Sequence, residues 1–296
     1  MATEELPVVD LDQSEDIVVQ SIRSACESFG FFYLLGHGIP IEQFDSVLAT
    51  SKSFFEQEDS IKAKVGPGSP GPDFRGYSPW RAIALDPNWQ TGGDTREQFS
   101  IGREVSIDSK DAKQWPSILG PNKWPESTAS FDGESFRRTM TSYFDTIEAL
   151  GLRMLPLLAL ALGARPDELV SLFSPPLVTM NLNHYAREAS DPAAGRLGCG
   201  AHTDYGGLTF LLTDEVPGLQ VCRGRDKGES DALSFQVQDP GLLRWLTVQP
   251  RRGAFIVNTG DMLERLSNGR FKSNLHRVVV PEAAGPACAA AAAGCG

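Results

Sequence analysis

The spacing of apolar residues changes at Val178, and this change constrains the fold more than any other feature of the chain. Between Ser130 and Gly163 the apolar residues recur with the 3.6-residue period of a helix. After Val178 they recur every second residue, in short runs separated by glycine and proline, which is typical of a β-sandwich or a closed barrel. The predicted strands are Val178–Tyr185, Leu208–Leu212, Leu219–Val221, Ser234–Val237, Leu246–Val248, Gly253–Asn258 and Asn274–Val280.

The N-terminal half is predicted to supply helices that cover these strands. Helical spacing appears in Ser14–Phe29 and Glu42–Glu56, and an aromatic-rich strand, Phe31–Leu35, lies between them. The whole pattern predicts a mainly β fold with flanking helices, of the α+β class. We divide the chain into an N-terminal region (1–120), a helical connector (121–177), a β-rich core (178–282) and a tail (283–296).

The tail, residues 283–296, differs in composition from the rest of the chain. It is built from Ala, Gly and Cys with a single proline. It shows neither the two-residue alternation of a strand nor a polar face, so we expect it to be disordered or foreign to the fold. The last strands of the core would then be missing.

Charge and cysteine content restrict the partners and the compartment. The formal net charge of −11 disfavours non-specific attraction to nucleic acid or to an anionic membrane. The acidic N-terminus has no signal-peptide pattern, and the longest apolar run, Met154–Ala164, is too short to span a bilayer. Five cysteines without a CxxC pair indicate free thiols. We expect a cytoplasmic monomer that acts on a small molecule.

Two of the four histidines fit a pattern of metal ligands. His202 and Asp204 are two residues apart in an extended stretch, so their side chains point to the same side, and His276 offers a third ligand in a later strand. Two imidazoles and one carboxylate form the facial triad of non-haem Fe(II) oxygenases, which leaves coordination positions open, unlike a closed zinc site. Taken alone, a His-x-Asp pair is more often a surface or hydrogen-bonded pair.

The residues around these ligands make the pattern specific, because five segments occur in a fixed order. They resemble the isopenicillin N synthase-like family of 2-oxoglutarate/Fe(II)-dependent dioxygenases, and the likeness spans about residues 5–282. The resemblance implies a double-stranded β-helix, or jelly roll, and identifies residues 1–120 as a non-haem dioxygenase N-terminal region. The segments are Gly198–Leu212, Pro217–Val221, Gly253–Leu263, Ser267–Ser273 and Leu275–Val278, preceded by the family-like Pro7–Asp10 and Gly30–Pro40.

The resemblance also implies cofactors and roles for individual residues. His202, Asp204 and His276 match the iron ligands of the family, and the implied cofactors are Fe(II), 2-oxoglutarate as cosubstrate, and O2. Asn183 and Tyr185 resemble the strand residues that help to hold the cosubstrate. Satisfied polar side chains of a core strand are an equally good interpretation of these two residues.

Three further residues resemble the substrate-facing edge of the family. Arg75 and Tyr77 lie in the segment Phe74–Pro79, and Phe99 follows in the segment that begins at Arg96. The resemblance implies that they line the substrate site, although a structural role fits them equally well.

One departure from the family pattern affects the cosubstrate. About ten residues after the distal histidine, the family has an Arg-x-Ser pair whose arginine grips the far carboxylate of 2-oxoglutarate through two hydrogen bonds. This chain has Pro286-Ala-Cys288 there, and Arg277 alternates to the other face of its strand. We therefore expect iron binding with weak 2-oxoglutarate turnover, and an unpaired strand edge where the Arg-x-Ser strand would lie.

The predicted function is an Fe(II)- and 2-oxoglutarate-dependent oxygenase that oxidises a small organic substrate by hydroxylation, desaturation or ring closure, with release of succinate and CO2. Two alternatives stay open. One is an Fe(II) oxidase of the isopenicillin N synthase type that does not use 2-oxoglutarate, and the other is a C-terminally truncated, inactive homologue. Variable loops form the substrate site in this family, so the sequence does not name the substrate.

Overall fold

A computed structural model describes residues 5–72, 74–185, 188–225, 243–282 and 289–295 of the chain. The strands are β1 (Val8–Asp10), β2 (Phe31–Leu35), β3 (Gly76–Ser78), β4 (Arg96–Gly102), β5 (Val178–Tyr185), β6 (Cys199–His202), β7 (Leu208–Thr213), β8 (Leu219–Arg225), β9 (Leu243–Thr247), β10 (Phe255–Thr259), β11 (His276–Val278) and β12 (Ala289–Cys295). The helices are α1 (Glu15–Ser28), α2 (Ile41–Phe55), α3 (Asp59–Lys62), α4 (Lys110–Gln114), α5 (Gly133–Leu162), α6 (Pro166–Leu172) and α7 (Asp261–Leu266).

The strands form two sheets. The large sheet has the order β1–β2–β10–β7–β12–β5–β4–β3, and the small sheet has the order β6–β11–β8–β9. From β5 to β12 the chain passes repeatedly from one sheet to the other, which is the arrangement of a jelly roll. The predicted class, a mainly β jelly roll with flanking helices, is confirmed.

The alternation of side chains in β2 shows how the layers pack. Phe31 and Tyr33 point towards the small sheet and share an apolar cluster with Val221 of β8. Phe32 and Leu34 point the other way, into the core between the large sheet and the helices. Each face of the large sheet is therefore buried, because successive strand residues point to opposite sides. We call these two sides the inter-sheet face and the helix face.

The N-terminal region contributes more than the predicted helical cover. Its strands β1 and β2 extend one edge of the large sheet, and β3 and β4 form the opposite edge. The strand Phe31–Leu35 and the helices near Ser14–Phe29 and Glu42–Glu56 were predicted correctly, whereas β3 and β4 were not predicted. No helix in the described ranges is long and apolar enough to cross a membrane.

The prediction that the tail is disordered and leaves an unpaired edge is wrong for residues 289–295. They form β12, which pairs antiparallel with β5 on one side and with β7 on the other. Strands β5 and β7 each present a row of backbone N–H and C=O groups to the gap between them. The main chain of an inserted strand can bond both rows, whatever its sequence, provided that its side chains fit. The predicted strand Ser234–Val237 and the Pro286–Cys288 segment lie outside the described residues.

Candidate metal centre

The three predicted ligands converge at one end of the small sheet. His202 ends β6, His276 begins β11, and the two residues are directly paired between the antiparallel strands. Their ring centroids are 4.2 Å apart. Asp204 Oδ1 lies 3.7 Å from His202 Nε2 and 3.8 Å from His276 Nε2. Ligand atoms bound about 2.1 Å from one ion lie about 3 to 4 Å apart, so the three residues fit a single metal ion.

Backbone hydrogen bonds orient both imidazoles. His202 Nδ1 lies 2.8 Å from the carbonyl oxygen of Gly200, and His276 Nδ1 lies 3.1 Å from that of Asn274. When Nδ1 carries the proton that it donates to a carbonyl, Nε2 keeps a free lone pair. Both Nε2 atoms face Asp204. The tautomer with the proton on Nδ1 and a free lone pair on Nε2 is the one that can bind a metal here.

Two side chains of the large sheet orient Asp204. Thr209 Oγ1 and Asn258 Nδ2 donate to its Oδ2, at 2.6 and 2.7 Å. This leaves Oδ1 to face the histidines. Sequence reasoning did not assign either residue to the site. The sequence nevertheless contains a signal for Asn258. It is an amide in the fully buried strand β10, whose other residues are apolar except for Thr259, and a buried amide needs a polar partner.

The electrostatics of the site keep Asp204 and His276 in their metal-binding protonation states. Burial alone would raise the pKa of Asp204, but His276, His202 and the hydrogen bonds from Asn258 and Thr209 bring it below its ordinary value. Burial, together with the nearby His202, lowers the pKa of His276 to about 4. At neutral pH the site therefore offers a carboxylate and a neutral imidazole, which are the forms that bind metal.

Asn258→Ala is expected to weaken iron binding by about 10- to 100-fold, because outer partners of metal ligands typically contribute that much. The variant removes the amide that fixes Asp204 Oδ2 while Thr209 remains in place. Anaerobic titration with Fe(II) measures the change. Asn181→Ala is the matched control, since Asn181 bonds Ser100 and not Asp204. Equal iron affinity of the Asn258 variant and the wild type would show that Asp204 needs no support from β10.

The predicted cosubstrate residues share the inter-sheet face of β5. Tyr185 packs with Cys199 of β6 in a small apolar cluster between the sheets. Asn183, two residues earlier, is buried, and its Oδ1 accepts a hydrogen bond of 2.7 Å from Arg96 Nη1. Both therefore lie on the side of the large sheet that faces the metal ligands.

Two of the predicted substrate residues lie on the opposite side. Phe99 is fully buried on the helix face, with ring centroids 4.8 Å from Phe54 and 5.4 Å from Phe136. Tyr77, paired with Phe99 in the sheet, donates to Glu97 at 2.6 Å on the same side. Strand alternation turns both side chains away from the face that carries the metal ligands, so the structure does not bring them together with the predicted iron site.

Arg75, the third predicted substrate residue, is placed differently. Its guanidinium lies where a side chain at Gly102 would stand, on the inter-sheet face of β4. Gly102 pairs with Thr179, Thr179 with Gly294, and Gly294 with Thr209. The guanidinium of Arg75 therefore lies in the same row across the sheet as Thr209, which bonds the ligand Asp204. Arg75 Nη1 donates to the carbonyl of Phe74, whereas Nε and Nη2 are buried without a hydrogen-bond partner.

Comparison with known proteins decides the family. Residues 6–127 match the model of the non-haem dioxygenase N-terminal region described for morphine synthesis, and residues 178–286 match that of the 2OG-Fe(II) oxygenase superfamily. The 2-oxoglutarate-Fe(II) type oxidoreductase hxnY of Emericella nidulans is 35% identical over 267 residues, which cover 88% of this chain and 69% of that protein. The chain belongs to the 2-oxoglutarate/Fe(II) oxygenase superfamily.

Other relatives of this oxygenase agree. The 2-oxoglutarate-dependent dioxygenase citB of Monascus ruber is 33% identical over 290 residues, covering 93% of this chain and 80% of that protein. A Neurospora crassa protein crystallised with alpha-KG and thymine matches with a TM-score of 0.75 and 26% identity, over 98% of this chain and 85% of that one. JOX2, crystallised with 2OG, Fe and JA, matches with a TM-score of 0.72 and 26% identity, over 99% and 75%.

The predicted activity is confirmed at the level of the family. The oxygenase is a non-haem iron enzyme that depends on 2-oxoglutarate, since the curated relatives described above carry that dependence in their names. The comparisons do not support the alternative, an oxidase that dispenses with 2-oxoglutarate. The predicted cofactors, Fe(II), 2-oxoglutarate and O2, are those of this superfamily.

Proposed function

We propose that this oxygenase binds iron through His202 Nε2, Asp204 Oδ1 and His276 Nε2 and oxidises a small organic substrate. The observation that carries the proposal is the convergence of these three atoms within 4.8 Å. The donor set fits Fe(II), because two imidazoles and a carboxylate leave positions open for a chelating 2-oxo acid and for O2. With iron held by these residues, O2 would be the oxidant, and 2-oxoglutarate would be oxidised alongside the substrate to succinate and CO2.

The residues around the ligands prepare the site for that chemistry. Thr209 and Asn258 hold Asp204 with one oxygen turned towards the histidines. Phe31 packs edge-on against His276, at 5.2 Å between ring centroids, and fixes that ring from behind. The apolar cluster around Tyr185 and Cys199 adjoins the site and keeps bulk water away from it. Rigid packing of this kind holds the ligands at fixed separations.

Asn183 and Tyr185 are proposed to face the cosubstrate. Their burial on the inter-sheet face, next to β6 and its ligand His202, supports this role. Both side chains can donate hydrogen bonds to a carboxylate.

Arg75 is proposed to face the substrate. Its unpartnered Nε and Nη2 form the side of a guanidinium that binds a carboxylate with two hydrogen bonds. The neighbouring inter-sheet residues Gln98, Ser100 and Asn181 are half-buried and hydrogen-bonded to one another, so this wall of the site is polar. A small substrate with an acidic group would match it.

We also propose that the enzyme works as a cytoplasmic monomer. Buried cysteines that form no disulfide, Cys26 and Cys199, support a reducing compartment.

A turnover assay tests the proposed function. The Fe(II)-loaded protein is supplied with 2-oxoglutarate and O2, with and without small organic acids, and succinate is measured. We expect succinate that depends on iron and on 2-oxoglutarate, and that disappears in His276→Ala. Oxidation of an added acid without succinate would point to the oxidase alternative. Absence of both products would indicate the inactive homologue.

A further inference from the structure

The far carboxylate of 2-oxoglutarate needs a cation in this protein. The 2-oxo acid end of the molecule can chelate iron, whereas the other carboxylate is charged at neutral pH and, at an iron site between the sheets, would be buried. A buried carboxylate without a charged partner costs several kcal/mol. Pro286–Cys288, the segment that corresponds to the arginine of the family, contains no basic residue.

We propose that Arg96 binds this far carboxylate, an inference that rests on the proposed iron site. Arg96 begins β4 and is paired with Tyr185 of β5, and Gln98 is paired with Asn183. Paired residues share a face of the sheet, so Arg96 lies on the inter-sheet face beside both proposed cosubstrate residues. Its side chain is only 9% exposed. Nη1 donates to Asn183 Oδ1 at 2.7 Å.

Arg96 is also close to the metal ligands. Its partner Asp94 accepts a hydrogen bond of 3.0 Å from the Gly200 amide, and the carbonyl oxygen of Gly200 lies 2.8 Å from Nδ1 of the ligand His202. The ion pair and a single residue, Gly200, therefore connect Arg96 to a metal ligand.

The ion pair with Asp94 positions Arg96 but does not use all of the hydrogen-bond donors of its guanidinium. Asp94 Oδ2 accepts from Arg96 Nε and Nη2 at 3.1 and 3.0 Å, and its Oδ1 accepts from Gln90 Nε2 at 2.7 Å and from the Gly200 amide at 3.0 Å. Four donors thus share this carboxylate. A guanidinium has five N–H groups, and three are used here, so one remains on each terminal nitrogen. Those two can bind a second carboxylate.

Four other arginines are less suited. Arg196 is half-exposed and pairs with Asp191 at 2.8 Å. Arg277 lies over the ring of Trp245 at 4.1 Å and bonds Gln220, on the side of β11 away from His276. Arg187 is outside the described residues. Arg75 lies at the other end of β4, beside Gly102.

Two oxo acids that differ only at the far end test the proposal. The anaerobic Fe(II) protein is titrated with 2-oxoglutarate and with 2-oxovalerate, which has a methyl group in place of the far carboxylate, and binding is followed by the metal-to-ligand charge-transfer absorption. We expect the wild type to bind 2-oxoglutarate about 10- to 100-fold more tightly, as a charge-assisted hydrogen bond provides. The double variant Arg96→Met/Asp94→Asn should lose this preference and still bind 2-oxovalerate.

The design separates the possible failures. Removing both members of the ion pair avoids a buried unpaired charge, and Arg96→Lys, which keeps the charge, should retain part of the preference. Arg196→Met is the matched control and should behave as the wild type. Equal affinity of the wild type for the two oxo acids, or an unchanged preference in the double variant, would overturn the role of Arg96. Binding of 2-oxovalerate but not of 2-oxoglutarate would overturn the role of Arg96 and support the proposed iron site. Absence of the charge-transfer absorption with either acid would overturn both the role of Arg96 and the iron site.

Discussion

Asp204→Ala is expected to abolish iron binding and, with it, all 2-oxoglutarate turnover. The variant removes the one carboxylate of the donor set and leaves two imidazoles whose rings are 4.2 Å apart. Loss of an outer partner already costs about 10- to 100-fold in metal affinity, so loss of a direct ligand exceeds that range. Metal content after reconstitution and the charge-transfer absorption with 2-oxoglutarate measure the result.

The fold of this variant should survive. Thr209 and Asn258 lose their shared acceptor, which costs about 1–3 kcal/mol for a group left unsatisfied, against a total stability of about 5–15 kcal/mol. Thermal unfolding of the metal-free protein checks this point. Asp45→Ala is the matched control, because Asp45 is half-exposed and pairs with Arg252 on the surface. Full metal content in the Asp204 variant would show that iron binds elsewhere.

Strands with one apolar and one polar face were predicted well, whereas β4, which has polar side chains on both faces, was not predicted. Val178–Tyr185 was predicted with its observed bounds, because its apolar residues alternate regularly. β4 also alternates, but its inter-sheet side is polar through Arg96, Gln98 and Ser100, and its helix side includes Glu97. The polar side chains on both faces, most of them in hydrogen-bonded networks, therefore concealed the hydrophobic signal of this strand.

The metal ligands were predicted because local spacing and a resemblance identified them, whereas their supports depend on tertiary contacts. Thr209 and Asn258 reach Asp204 only because β7 and β10 are neighbours in the large sheet. Similarly, the contact between Arg96 and Asn183 joins residues 87 positions apart in the chain. The composition of the tail was misleading for β12 because pairing of the main chain makes few demands on side chains.

A buried ionic network on the helix face gives the largest expected effect on stability. Glu97 is 1% exposed and lies 2.6 Å from Lys62 Nζ, itself only 4% exposed. Tyr77 donates to the same carboxylate at 2.6 Å, and His184 Nδ1 lies 2.7 Å from its other oxygen. Burial alone would raise the pKa of Glu97, but hydrogen bonds from His184, Lys62 and Tyr77 bring it below its ordinary value. The carboxylate is therefore held in its charged form.

Glu97→Gln is expected to lower the free energy of unfolding of the metal-free protein by about 3–5 kcal/mol at neutral pH, because it leaves the buried ammonium of Lys62 without its main partner. The exposed Asp59, 3.1 Å from Lys62 Nζ, moderates the loss towards the lower value. Urea unfolding measures it. The matched control is Glu56→Gln, which breaks the exposed pair with Lys52 and should cost no more than about 0.5 kcal/mol.

The same pair of variants gives a pH dependence with a definite sign. Since the pKa of Glu97 is lower in the folded than in the unfolded protein, its contribution is fully present above the unfolded value and is lost as the pH falls through the folded one. The stability difference between the wild type and Glu97→Gln should therefore be constant near neutral pH and shrink below about pH 4, where carboxyl groups of the unfolded chain take up protons. A difference under about 1 kcal/mol at neutral pH would mean that Asp59, His184 and Tyr77 hold Lys62 without the charge of Glu97.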